Sequence, residues 1–242
     1  MTGGADLIAR LDEAAAALAA RALAAPAALP LPEMDWLAAA RRAGTLRRPL
    51  AWRNLVVATP AWRRLHVEFL AIPGEIAVLH CCGMPQPHLA LPVLGFDVVA
   101  GREKATGCFL DLSPTVAAAS PAILDWAAGV VPLRAGLGEQ RALPDWASIF
   151  SPHVVAVRPR DPAEVEAGLA LGEATMAAML ALARIPAADP AAMAAAQSRY
   201  VEGQRRNDRT RRMLAGCIGA PLADAFIADC LFPLPATPAL AA

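Results

Sequence analysis

Between residues 50 and 112 the apolar period of this chain switches to two, and the links between the apolar runs are ten residues long or shorter. Strand-like runs lie near 53–58, 65–72, 76–82, 93–100 and 105–112, separated by short stretches rich in Pro and Gly. A parallel crossover needs about a dozen residues or more, so links this short predict sequential antiparallel neighbours. The Asp111-Leu112-Ser113-Pro114 corner ends this meander, and His153 to Arg158 reads as one further strand.

The rest of the chain carries helical periodicity. Asp6 to Ala25 places Leu7, Leu11 and Leu18 opposite Arg10, Asp12 and Arg21, and Pro26, Pro30 and Pro32 close it. A second short helix is predicted over Trp36 to Ala43, stopped by Gly44. Further helices are predicted over Ala122–Val130, Pro162–Ala183, Pro190–Ala215 with Gly216 as the stop, and Leu222–Leu231. Helices, a meander, then helices predict one α/β (α+β) domain whose sheet is covered on both faces. Within it, 1–49 is a helical segment, 50–160 the sheet meander, 161–235 the C-terminal helices and 236–242 a loose tail.

Hydrophobic residues make up 57% and charged residues 18%, which allows a large buried core and argues against disorder. Net charge is zero, so no global field attracts nucleic acid or an acidic membrane surface. Met1 to Glu13 carries Asp6, Asp12 and Glu13 and no cationic run, unlike a secretory signal, and the apolar stretches fall short of a membrane span. The five cysteines form no C-x-x-C pair, which points to a reduced, cytoplasmic setting without a structural disulfide or zinc site. Arginine outnumbers lysine twenty-one to one. That bias makes any single arginine a weak sign of a bidentate site.

Ionisable residues then stand out inside the apolar meander. His66 and Glu68 alternate with Leu65, Val67 and Phe69, so their side chains share one face of a strand. His80 ends a second apolar run, and Asp97 lies between Phe96 and Val98 in a third. A charge in such a place costs several kcal/mol unless it is paired or shifts its pKa, and such residues are kept where protons move. Other readings of the same residues stay open at this point. His66, Glu68 and His80 are also a two-histidine, one-carboxylate ligand set, and a strand histidine taken alone is an ordinary core residue. There is no G-x-S-x-G, no G-x-G-x-x-G after a strand and no Walker lysine, which disfavours a serine nucleophile and a nucleotide cofactor.

Several separate blocks resemble one family. They are Leu65-His66-Val67-Glu68, Leu79 to Pro87, Leu91 to Gly101, Asp111-Leu112-Ser113-Pro114, Leu143-Pro144-Asp145-Trp146 with Ile149-Phe150-Ser151, Gln204 to Arg212, and Leu231-Phe232-Pro233-Leu234-Pro235. In order and spacing, over roughly residues 50 to 235, the chain is similar to the ferredoxin-dependent bilin reductases, most closely their phycocyanobilin-forming branch. The resemblance implies a three-layer α/β/α sandwich with a central antiparallel sheet, and biliverdin IXα bound between that sheet and the C-terminal helices. It implies no tightly bound cofactor, reduced ferredoxin delivering electrons singly, the radical held on the bilin, and protons from side chains in a monomeric enzyme. By the same resemblance Asp97 is the central proton donor, His80 its partner, and Glu68 the donor to the D-ring exovinyl group. His66 hydrogen-bonds near the site, Thr106 and Arg141 lie at the propionates, and Asn207, Asp208 and Arg209 form the block in which the family carries Asn-Asp-Lys-Thr. Retention of Glu68 implies full reduction to phycocyanobilin. The alternatives are a relative making phycoerythrobilin or a dihydrobiliverdin, or a non-catalytic bilin-binding protein. Arg63, Arg64, Arg205, Arg206, Arg211 and Arg212 are the expected basic surface for acidic ferredoxin.

Overall fold

The computed structural model describes residues 4–35, 37–39 and 50–235. Its strands are β1 (Leu29–Pro30), β2 (Ala51–Ala58), β3 (Trp62–Ile72), β4 (Ile76–Pro85), β5 (Val93–Ala100), β6 (Ala105–Ser113), β7 (Glu139–Gln140) and β8 (Val155–Arg158). They pair in one antiparallel sheet of order β1-β2-β3-β4-β5-β6-β8-β7, so the predicted meander is present strand by strand. The β3–β4 hairpin turns through Pro73-Gly74-Glu75, where Gly74 takes φ +73°, a left-handed value that glycine adopts without strain. The helices are α1 (Gly4–Leu23), α2 (Ser120–Val130), α3 (Pro162–Ala181), α4 (Pro190–Arg205), α5 (Asp208–Ile218) and α6 (Ala220–Phe226), followed by a π turn over Ile227–Leu231.

Strand alternation sorts the core into two layers. Leu65, Val67 and Phe69 of β3, with Phe96 and Val98 of β5, face α1 and α3, where Leu11, Leu18, Leu169 and Met176 complete the packing. Leu70 and Ile72 of β3, with Cys82 and Met84 of β4, face the opposite way. There they meet Tyr200 and Val201 of α4, Leu214 of α5 and Phe226 of α6. The result is an α/β/α sandwich with the sheet in the middle, as the sequence implied.

Three expectations need correction. The expected single helix over Pro190–Ala215 is two, because Asn207 accepts a hydrogen bond from the Arg209 N–H at 3.2 Å and caps a new helix. An Asn side chain competes for nearby backbone in this way and favours helix starts. Gly216 does not stop α5. The helix runs to Ile218 because Leu214, Cys217 and Ile218 are packed in the core, and Gly219 at φ +89° ends it. The predicted helix over Leu222–Leu231 is α6 with a π turn after it. Strands β1 and β7, two residues each, are too short to show a period. The helix expected over Trp36–Ala43 falls mostly outside the described residues, as does the tail from 236.

Close approach between layers yields a paired prediction. A Cβ on Gly172 of α3 would lie 2.4 Å from the buried Phe96 ring, whereas one on Gly216 would meet nothing within 4 Å. Gly172→Ala should therefore lower the unfolding free energy by about 1–2 kcal/mol, overpacking outweighing the helix-propensity gain. Gly216→Ala should raise it by up to about 1 kcal/mol. Urea denaturation measures both, and equal signs would contradict the packing described.

Candidate active site

Register alone assembles the central feature. Asn54 of β2 lies opposite Glu68 of β3, Glu68 opposite His80 of β4, His80 opposite Asp97 of β5, and Asp97 opposite Phe109 of β6. Adjacent strands are spaced by about 4.8 Å, so a carboxyl, an imidazole and a second carboxyl form one row on the face turned to the C-terminal helices. Glu68, His80 and Asp97 line a cavity of about 820 Å³. Its roof is Trp146, Phe150 and the Gln204–Leu214 segment, with Leu231 and Phe232 closing one end.

The row is held by short hydrogen bonds. His80 Nδ1 and Asp97 Oδ1 are 2.6 Å apart, and Glu68 Oε1 accepts from the Trp52 indole N–H at 2.6 Å. Burial pulls the His80 proton affinity down, but the charge and hydrogen bond of Asp97, helped by Glu68, outweigh it and raise the pKa above the usual imidazole value. Burial pushes the Glu68 carboxyl up to about 7, opposed by His80 and the Trp52 hydrogen bond. Both groups therefore hold their protons more tightly than in water, and because they face each other their titration belongs to the row as a unit.

His66 hydrogen-bonds beside the row without lining the cavity. It is fully buried, lies behind the cavity wall rather than on it, and bonds Asn54 Oδ1 through Nε2 at 3.0 Å. Burial, with His80 and Arg64 nearby, holds it well below the normal imidazole pKa, hence neutral. Its ring meets that of His80 edge-on with centroids 5.4 Å apart. Among the described residues no group of three or more His, Cys, Asp or Glu side chains is placed to hold a metal ion.

The cavity mouth is cationic. Thr106, Arg141, Asn207, Asp208 and Arg209 all line it, joined by Arg158, Arg206 and Arg212. Arg141 donates to the Thr106 carbonyl at 2.9 Å and lies over the Phe109 ring at 5.1 Å. Gly107 makes that possible, since a Cβ there would come within 2.6 Å of both groups. Burial, then the like charges of Arg209 and Arg158, lowers the Arg141 pKa. The Thr106 hydroxyl donates to the Val99 carbonyl at 3.1 Å, which leaves its lone pairs rather than its proton available.

The expected docking surface is partly wrong. Arg64 is buried, with its guanidinium on the Cys230 carbonyl, and Arg63 bonds Gln197 and the Pro233 carbonyl. Arg205 donates to the Ala228 and Phe232 carbonyls, and Arg211 pairs with Asp224 at 2.6 Å. Arg206 and Arg212 stay exposed beside the cavity. The Asp111 block also gains a role. The buried Asp111 accepts from the Ser113 hydroxyl, the Ser151 hydroxyl and the Ser151 N–H, fastening the segment that carries Trp146 and Phe150 to β6. All five cysteines are free and buried.

Trp52 was the residue that sequence reasoning missed. The predicted strand begins at 53, two residues late, and a start at 51 puts Trp52 and Asn54 on the face shared with Glu68.

A protein-family model described as ferredoxin-dependent bilin reductase matches residues 26–233. The chain is 37% identical over 183 residues to the phycocyanobilin:ferredoxin oxidoreductase of Synechococcus sp., covering 72% of each chain. It is 36% identical over 181 residues to that of Gloeobacter violaceus, covering 72% of this chain and 70% of the relative. Among solved structures, its fold matches that of a phytochromobilin synthase from tomato crystallised with biliverdin, with a TM-score of 0.68, 18% identity and 81% of each chain covered. The chain belongs to the ferredoxin-dependent bilin reductase family and is an oxidoreductase of that class. No helix among the described residues is long and apolar enough to cross a membrane.

The buried Glu68 yields a stability prediction. An acid with a folded pKa of about 7 against an unfolded value of 4.5 binds more protons folded than unfolded between those values. Stability from Glu68 therefore falls as pH rises through that window. Glu68→Gln removes the penalty, so its advantage over wild type should grow by about 1–3 kcal/mol from about pH 4.5 to about pH 8. A difference that does not change with pH would contradict the proton affinity assigned to Glu68.

Proposed function

We propose that this enzyme reduces biliverdin IXα to phycocyanobilin with electrons from reduced ferredoxin. The conversion takes up four electrons and four protons. The observation that carries this reading is the row Glu68–His80–Asp97 on one wall of an 820 Å³ cavity whose mouth is lined by arginines. Biliverdin is a long, flat, apolar conjugated chain with two propionate carboxylates, and cavities of this volume suit ligands of that size.

In this reading Arg141 and Arg209 take the propionates, with Thr106 and Asn207 beside them and Arg158, Arg206 and Arg212 adding charge. The tetrapyrrole lies between the sheet and the C-terminal helices, against Val78, Val99, Phe232 and Leu214. Ferredoxin supplies electrons one at a time, so the unpaired electron resides on the bilin between deliveries. The Asp97–His80 pair, 2.6 Å apart, shares a proton and gives it to the lactam and pyrrole region. Glu68, whose pKa lies near 7, carries the proton for the D-ring exovinyl group and recovers it readily at neutral pH. Asp208 is a further acid at the mouth. His66 stays neutral behind the wall and holds its place through Asn54.

Anaerobic incubation with biliverdin, ferredoxin and a reducing system, followed by product chromatography, tests the reading. Wild type should give phycocyanobilin. Glu68→Gln should retain A-ring reduction and stop at a two-electron product with an intact D-ring vinyl. Phycocyanobilin formed by Glu68→Gln at the wild-type rate would refute the role of Glu68. Phycoerythrobilin or a dihydrobiliverdin from wild type would replace the product assigned here.

A further inference from the structure

Trp52 does not line the cavity, yet its indole is buried and its N–H reaches Glu68 Oε1 at 2.6 Å. The ring is itself fixed, meeting Phe226 edge-on with centroids 4.7 Å apart. An indole N–H is a donor only. Whichever protonation state Glu68 adopts, Oε1 must therefore act as acceptor, and a bound proton belongs on Oε2. We propose that Trp52 is a positioning residue for reduction at the D-ring: it pins Glu68 Oε1 so that Oε2 alone presents the transferable proton to the cavity.

The inference rests on the reading of Glu68 as the D-ring proton donor and deepens it. Without the indole, a carboxyl on two rotatable bonds would divide its proton between two oxygens and several orientations. Proton transfer is sensitive to such geometry, because donor and acceptor must lie within hydrogen-bond reach. The other groups facing Glu68 are His80 on β4, Asp97 on β5, Asn54 beside Trp52 on β2, and the Cys230 thiol on the π turn. His80, Asp97 and Cys230 gain or lose a donor as they titrate, and the Asn54 amide, which carries both donor and acceptor, bonds His66 Nε2 through its Oδ1. The indole is the partner whose role cannot invert.

The test compares wild type, Trp52→Phe and Glu68→Gln in single-turnover reduction of biliverdin by reduced ferredoxin, with infrared difference spectra of the bilin complex. The carboxylic C=O band of Glu68 is the one lost in Glu68→Gln. In Trp52→Phe that band should move to higher frequency, as expected for a carbonyl that has lost its donor. The D-ring step should slow about tenfold or more, with the first reduction and biliverdin affinity unchanged. The pH limb set by Glu68 should move upward, since the lost hydrogen bond favoured the charged form. If Trp52→Phe folds poorly, Trp52→benzothienylalanine preserves the ring and its packing and removes only the N–H. An unmoved band with a wild-type D-ring rate in either variant overturns the role of Trp52 while leaving Glu68 in place. A wild-type product from Glu68→Gln overturns the reading of Glu68 itself.

Discussion

Cross-strand register places a carboxyl, an imidazole and another carboxyl side by side on three neighbouring strands, and the chemistry proposed for this enzyme depends on that alignment. Glu68, His80 and Asp97 come from three separate runs of the chain, and only antiparallel pairing without slippage makes them neighbours. A shift by one residue would send all three into the opposite core layer among Val67, Cys81 and Phe96. Nearly complete burial of β3 and β4 on both faces specifies the register, because a slip would exchange their apolar and ionisable faces.

Burying the row is costly, and the same cost sets its function. Desolvation drives Glu68 toward its neutral form, while the 2.6 Å contact with Asp97 raises the proton affinity of His80 against burial. One environment thus makes a carboxylic acid and an imidazolium available together near neutral pH. Arginines line the same cavity, where they suit the anionic end of a ligand. Other arginines serve structure. Arg63, Arg64 and Arg205 clasp carbonyls of the last turns, which seats Phe232 with its ring centroid 5.8 Å from that of His80.

Much of this was legible in the sequence, for physical reasons that differ by region. The five long strands could be read because each buries alternating side chains and the links are too short for anything but hairpins. Glu68, His80 and Asp97 could be read because ionisable groups inside apolar runs are expensive. The break at Asn207 was not legible, since a polar helix of continuous period hides a side-chain cap that only tertiary structure rewards. The buried Arg63 and Arg64 were read as a surface pair because a doublet of cations ordinarily is one. Here carbonyls of a distant segment receive them. Trp52 lay just outside the predicted strand, and its partner is sixteen residues away in sequence.

The central claim is that Asp97 raises the proton affinity of His80 despite burial. Site-resolved nitrogen NMR of the His80 ring as a function of pH, in wild type and in Asp97→Asn, measures this directly. The account predicts an imidazolium that persists above the ordinary histidine range in wild type and becomes neutral at lower pH once the carboxylate is gone. A His80 that is neutral throughout in wild type, or that titrates identically in both proteins, would contradict it.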